Sequence, residues 1–470
     1  MILTDLIFMK HELMITLILF ILLFIKVGSK EWKNESVLNL VNILLFINFV
    51  VGFFCNQTGV LFSEMFRTTG LVIVEKNMLN LGTLIISLQS YTWLKRHKHV
   101  LEFYMLLLST LLGMFCMVSA GNLLMFYLGL ELSTIPLAAL VNFDLDKRKS
   151  SEAAFKLIIS SAFSSGLLLF GISLIYGTTG TLLFSQLATS ITGNPLQIFS
   201  FILFIAGFSF KISVVPFHLW TADVYEGAPV SVTSYLSVIS KGAVLFVFVS
   251  VLYTVFKPLA ATWYNVLFIL SVLTMITGNL FAIRQTNLKR FLAFSSIAQV
   301  GFILIGISGS SQAGAASVVY FVLIYIFSNL GAFGVISLVS AITGKETIED
   351  YKGFYKTNPL LSWVLAIALF SLAGIPPTAG FFGKFFLLLA GAAHGNYVLI
   401  TIASLNMIIS LFYYLKVIKA VFMDANEAPI ERLIIPLLPK IALFICVAGI
   451  VLTGLMSVIY EYIYSLSIGF

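Results

Sequence analysis

Apolar runs about twenty residues long, separated by short polar stretches, recur from one end of the chain to the other. At about 1.5 Å of rise per helical residue, each run can cross the roughly 30 Å hydrocarbon core of a bilayer. The pattern predicts fourteen membrane helices, over roughly residues 12–28, 37–55, 72–93, 102–120, 121–141, 152–176, 197–222, 229–256, 262–283, 291–310, 314–343, 359–392, 395–415 and 441–460. The expected fold class is therefore an all-α polytopic membrane protein. Its loops are too short to hold a soluble catalytic domain.

Composition agrees with that reading. Of 470 residues, 60% are hydrophobic and 10% charged, whereas soluble domains carry about a quarter charged residues. The net charge of +7 raises the possibility of a nucleic-acid partner, and its distribution argues against one. Nineteen of the 27 lysines and arginines fall in alternate loops, in clusters such as Lys26, Lys30 and Lys33, or Lys147, Arg148 and Lys149. The opposite loops hold only Lys10, Arg67 and Lys257. Basic loops stay cytoplasmic, so both termini are expected outside, with a bacterial inner membrane as the location. The first run is followed by Lys30, Trp32 and Lys33 rather than a small-residue cleavage site, so it is expected to remain as a helix. Cys55, Cys116 and Cys446 are distant and odd in number, which argues against a disulfide framework or an iron–sulfur site. His97 and His99 lie in a basic loop and are expected to face water. No glycine-rich nucleotide loop is present.

Five lysines lie inside the expected spans: Lys76, Lys156, Lys211, Lys241 and Lys384. An ionisable side chain at a helix centre costs about 2.5–3.5 kcal/mol on insertion scales, which makes each one a candidate for function. Glu131 sits about ten residues, or roughly 15 Å, into its helix. Lys211 and Lys241 are each more than two turns from a helix end, too deep to snorkel readily to an interface. Lys384 lies past the midpoint of its span. Lys156, four residues after Glu152, can instead make an ordinary helical ion pair. Glu75 and Lys76, near a helix end, read as an interfacial pair.

Two spans are interrupted by proline. Pro216 follows Lys211, and Pro376 and Pro377 precede Lys384. Proline removes a backbone donor, and unwound backbone survives in a membrane where it is buried or lines a wet cavity. Lys384 follows Lys211 by 173 residues, and Gln299 follows Glu131 by 168. Five helices from 102 to 256 are thus followed by five more from 262 to 415, and an odd number per repeat inverts the second copy. The expected organisation is a three-helix segment over 1–100, one inverted repeat over 101–256, another over 257–420, and a C-terminal helix over 421–470.

At these residues a family resemblance emerges. KISVVPFHLWTADVYEGAP from Lys211, GLELSTIPL around Glu131, RFLAFSSIAQVGF from Arg290 and AGIPPTAGFFGKF around Lys384 resemble signatures of the antiporter-like membrane subunits of respiratory complex I. The resemblance spans roughly residues 100 to 420. It is most like subunit N (chain 2): a lysine occupies the second broken helix, no long lateral extension follows the last span, and SSEAAFKLIISSAFSSGLLLFG around Lys156 is similar to that subunit's lysine-bearing helix.

The resemblance implies a proton-translocating membrane-arm subunit of NADH:quinone oxidoreductase. Glu131 would pair with Lys211, Lys241 would relay, Lys384 would stand near the exit, and Lys156 and His218 would assist at the cytoplasmic side. NADH, FMN, iron–sulfur clusters and quinone would belong to partner subunits, with no cofactor or metal in this chain. The partners implied are a second antiporter-like subunit, small helical subunits and the bilayer. One departure is Gln299, where relatives often carry a titratable histidine. Open alternatives are a sodium/proton antiporter subunit, a non-conducting scaffold and, with least support, quinone chemistry in this chain.

Overall fold

The computed structural model describes residues 3–28, 32–54, 56–393 and 395–469. Lys30 and Cys55 fall outside the described residues. Continuous helices run over Lys10–Val27, Asn34–Val51, Gly70–Gln89, Val100–Val118, Leu123–Val141 and Arg148–Thr179. Further ones cover Val230–Thr254, Ala260–Ile283, Leu288–Ser308, Gln312–Thr343, Tyr397–Phe422 and Leu437–Leu455. Among the described residues, twelve helices are long and apolar enough to cross a membrane.

The two proline-bearing segments, each read from the sequence as one span, are pairs of half-helices. Pro195–Lys211 is followed by Leu219–Gly227, and Pro359–Ala373 by Ala379–Ala392. Counted with them, the described residues hold the fourteen expected crossings. The ends differ by a few residues, as frayed termini do. The expected 152–176 span is the longer helix Arg148–Thr179, and a short amphipathic helix, Ser457–Leu466, follows the last crossing. A two-stranded antiparallel hairpin, Gly59–Leu61 with Phe66–Thr68, pairs Val60 with Arg67 between the second and third spans. It marks the face opposite the basic loops.

Helix starts follow their capping residues. Asn122 accepts the Met125 amide at 2.6 Å, Asn194 the Gln197 amide at 2.9 Å ahead of Pro195, and Ser311 the Gly314 amide at 3.2 Å. Such side chains satisfy backbone donors left free at a helix start.

Corresponding elements recur along the chain. Arg148–Thr179 and Gln312–Thr343 both have 32 residues and end on a left-handed glycine, Gly180 or Gly344. Each is followed by a broken helix. The two helices before each also cross closely, which membrane helices achieve with small residues. A Cβ at Gly113 would lie 2.4 Å from the Ser133 amide, and one at Gly278 2.5 Å from the Ala298 amide.

Leu288–Ser308, Gln312–Thr343 and Val230–Thr254 form the buried centre, while exposed side chains such as Leu128, Ile135, Phe163 and Phe281 cover the periphery. A buried interior of apolar helices with a greasy outer shell is the reverse of a soluble surface, and fits a chain surrounded by lipid and neighbouring helices.

Candidate functional site

Lys211 is the last residue of its half-helix, so its side chain begins where helical carbonyls lose their partners and the helix dipole favours a cation. Its Nζ donates to Ser161 Oγ at 2.6 Å and Thr134 Oγ1 at 3.1 Å. Thr134 lies three residues beyond Glu131 on the same helix, and the field of the Glu131 carboxylate reaches Lys211. No ion pair within 4 Å joins Glu131 and Lys211 among the described residues. At hydrogen-bond distance the amine meets the two hydroxyls, and Glu131 acts on it through its field. Glu131 Oε1 is buried without a hydrogen-bond partner, beside the exposed apolar strip of Leu124, Leu128 and Ile135.

The helix breaks through Ser213, at φ 65°, and resumes as the half-helix Leu219–Gly227. At the break Phe210 O accepts the Ser213 amide and the Trp220 indole N–H, each at 3.1 Å, and Thr221 Oγ1 bonds Ser213 Oγ at 2.7 Å. Thr221 and Tyr225 are four residues apart and share a helix face. That face leads from the Lys211 break to Lys241, whose Nζ lies 5.4 Å from the Tyr225 ring centroid.

Lys241 is 3% exposed and follows a π-helical turn over Leu236–Ser240, a distortion that often marks functional positions. Its Nζ donates to Ser296 Oγ at 2.8 Å. Tyr225 and Tyr325 both face Ser237 and Ser296, and Ser237 also meets the Asn329 amide at 3.0 Å. The relay position is therefore surrounded by hydroxyls and an amide, without an ion-paired carboxylate among the described residues.

Lys384 is 1% exposed and does not snorkel. It turns back onto the second break, donating to Leu372 O at 2.8 Å and Ala373 O at 3.1 Å. These are carbonyls at the end of the preceding half-helix, the partners that interrupted backbone requires. Gln299 Nε2 donates to the same Leu372 O at 3.0 Å and to Tyr414 OH at 3.1 Å. The non-titrating amide thus stands directly beside Lys384. Tyr325, Ser328, Ser371 and Gln299 line a cavity of 10 Å³ against Lys384, room for about one water molecule. Because Tyr325 also faces the groups around Lys241, one tyrosine spans the two lysine sites.

The remaining expected site residues lie towards the basic loops. Lys156 Nζ contacts Glu152 at 2.8 Å and Asp223 at 2.7 Å, with 40% of its side chain exposed. Arg290 joins the network through Asp223 at 2.7 Å and Glu226 at 3.1 Å. Ser161, not Lys156, reaches Lys211. His218 is buried at the first break, near the Pro216 carbonyl, and its Nδ1 has no hydrogen-bond partner.

Two expectations need correction. Glu75 and Lys76 are not an interfacial pair: both are buried, and Lys76 Nζ contacts Glu12 Oε1 at 2.6 Å. His97 does not simply face water, because its ring stacks on Phe143 with centroids 4.7 Å apart; burial draws its pKa down, opposed by Asp144. The reading by residue type also passed over the uncharged partners Thr134, Ser161, Ser237, Ser296, Tyr325 and Asn329. The available signal was spacing: Tyr225 lies four residues from Thr221, and Thr134 three from Glu131.

Residues 120–410 match the family described as NADH:quinone oxidoreductase/Mrp antiporter, TM. A protein named NADH-quinone oxidoreductase subunit N from Phocaeicola vulgatus is 48% identical over 467 residues, covering 97% of this chain and 98% of that protein. Its namesake from Azobacteroides pseudotrichonymphae is 45% identical, covering 97% and 96%. Among solved structures, a chain of respiratory complex I from Thermus thermophilus superposes with a TM-score of 0.77 at 26% identity, covering 99% of this chain and 97% of that one. A chain of the Mrp complex from a Dietzia species shares the fold, with a TM-score of 0.88 at 20% identity and coverage of 99% and 97%.

Proposed function

The chain belongs to the NADH:quinone oxidoreductase/Mrp antiporter membrane family, and we propose that it conducts protons through Glu131, Lys211, Lys241 and Lys384 as a membrane-arm subunit of an NADH–quinone oxidoreductase. Relatives named as subunit N match nearly its whole length. The observation that carries the proposal is the state of the three lysines. None contacts a carboxylate within 4 Å among the described residues, and each lies at or beside a helix discontinuity, held by hydroxyls or carbonyls. An amine held without an ion pair can lose its proton without leaving a buried carboxylate stranded.

The order of transfer follows the contacts. Lys211 exchanges with Lys241 past Ser213, Thr221 and Tyr225, and Lys241 with Lys384 past Ser296 and Tyr325, with water carrying the proton between side chains. Glu131 acts as the gate, because moving a carboxylate relative to Lys211 changes that amine's proton affinity. The apolar strip beside Glu131 gives a neighbouring subunit access to the gate. Redox chemistry, with NADH, FMN, iron–sulfur clusters and quinone, resides in partner subunits, and a second antiporter-like subunit adjoins this one. Residues 101–256 and 257–420 form two inverted repeats, with the basic loops cytoplasmic and both termini outside.

Three amines against one carboxylate also form a poor sodium site, since sodium seeks oxygen ligands. The test is the assembled complex in sealed vesicles. NADH oxidation should move protons without added sodium, and Lys211→Ala should abolish that movement. Sodium-dependent transport in a complex lacking flavin and iron–sulfur subunits would instead identify an antiporter.

A further inference from the structure

A second set of ionisable groups lies in the first three helices, apart from the lysine axis. Lys76 and Glu12 are 1% and 3% exposed and form an ion pair at 2.6 Å. His11 adjoins them, 2% exposed, its ring packed edge-on against Phe115 at 5.7 Å and close to Asn48. The Lys76 ammonium also lies 4.9 Å from the ring centroid of Phe66, on the hairpin that marks this face. Lys10, Glu75 and Cys116 are the other titratable groups around it.

Burying a pair of charges costs several kcal/mol per ion before their attraction is counted, so stability alone is a weak reason to keep one. The surroundings are also short of partners. Both His11 ring nitrogens, both Glu12 carboxylate oxygens, Asn48 Oδ1 and Asn77 Oδ1 are buried without a well-formed hydrogen bond, so the Lys76–Glu12 contact is an ion pair by distance. Buried polar atoms of this kind are ordinarily satisfied by internal water. The polar stripe continues inward: Asn48 bonds Asn80 at 3.1 Å, and Ser87 bonds Asn42 at 2.7 Å and Tyr104 at 2.8 Å.

We propose that Glu12, Lys76 and His11 form a second, water-filled proton-exchange site on the hairpin face of the three-helix segment. The Lys76 ammonium passes its proton to the Glu12 carboxylate once their 2.6 Å contact aligns into a hydrogen bond, leaving a neutral amine and a neutral acid. The acid then releases that proton to water towards the hairpin face, and a proton from water along the Asn80–Ser87 stripe restores the ammonium. His11 and the orphaned amides anchor that water. The net result is one proton moved and every group returned to its starting state. This extends the reading of the chain as proton-conducting and rests on it.

The decisive variant is Lys76→Arg in the assembled complex. Arginine keeps the charge and the ion pair but holds its proton throughout the accessible pH range. A structural pair tolerates the change, whereas a proton-exchange site is blocked. In vesicles, the protons moved per NADH oxidised should fall reproducibly below wild type, with Lys241→Ala as the control for the main axis. A wild-type ratio in Lys76→Arg, beside a loss in Lys241→Ala, overturns this proposal alone. Wild-type ratios in both overturn the conduction reading as well. Hydration is read separately on the Lys76 protein, through Cys116 in a chain whose other cysteines are serine. Modification of Cys116 by an impermeant cationic methanethiosulfonate added from the hairpin face supports a wet site. Protection until detergent unfolding overturns it, whether or not the arginine variant assembles.

Discussion

Replacing Lys241 with methionine removes the charge and keeps most of the side-chain volume. The ammonium costs about 2.5–3.5 kcal/mol at the membrane centre. Losing it forfeits a charged hydrogen bond to Ser296, worth about 1.5–3 kcal/mol, and the contact with Tyr225, worth about 0.5–2 kcal/mol. Ser296 keeps its bond to Ala293 O at 2.8 Å, so its hydroxyl is not orphaned. The balance lies within about 2.5 kcal/mol of zero, and the subunit should still assemble. Transport fares differently. With no amine between Lys211 and Lys384, a proton must cross the buried gap without a basic relay, and each 1.4 kcal/mol added to the barrier slows it about tenfold. Proton movement by reconstituted, NADH-driven vesicles should therefore drop at least about tenfold. Lys241→Arg, which keeps the charge but cannot release its proton, should fail equally. Undiminished proton movement in fully assembled Lys241→Met would refute the relay.

Other perturbations separate the elements of the site. Gly374 has φ 86°, and a Cβ there would lie 3.1 Å from Lys384 Cδ; Gly374→Ala should lower proton movement several-fold, while Gly344→Ala, with similar φ and open space, should not. Gln299→Leu should leave the proton ratio intact, because an amide does not titrate, whereas Lys384→Met should lower it in the same vesicle assay. His97 holds its pKa below 6.5 because of burial, so the folded loop binds fewer protons than the unfolded one. Stability there is present above pH about 6.5 and lost as pH falls below it; protection of the Lys95–His99 amides against hydrogen exchange, taken relative to the intrinsic rate at each pH, should fall on acidification, and His97→Phe should remove that dependence.

The fourteen crossings and the deep lysines were legible because a bilayer imposes length on apolar runs and penalises charge. Pro216 and the Pro376–Pro377 pair likewise announced both breaks. Contacts between distant segments were not legible. Glu12 is 64 residues from Lys76, and nothing local in either helix names the other as partner. The groups that hold Lys211 and Lys241 are serine and threonine hydroxyls, which occur widely in membrane helices and carry no charge to draw notice, and Lys384 is held by backbone carbonyls, which no residue type announces. Which groups meet Lys211 at hydrogen-bond distance also escaped the sequence, because helical depth locates a residue along the bilayer but not around the helix axis. His97 was misjudged for a related reason: its loop is polar, yet Phe143 arrives from another part of the chain.

The most direct measurement is a high-resolution map of the assembled complex in lipid, with water resolved around the axis. Ordered water should connect Lys211, Thr221 and Tyr225 to Lys241, and Tyr325 to Lys384, with breaks no longer than one hydrogen bond. Dry packing between these amines, with each enclosed in its own sealed pocket, would contradict conduction along them.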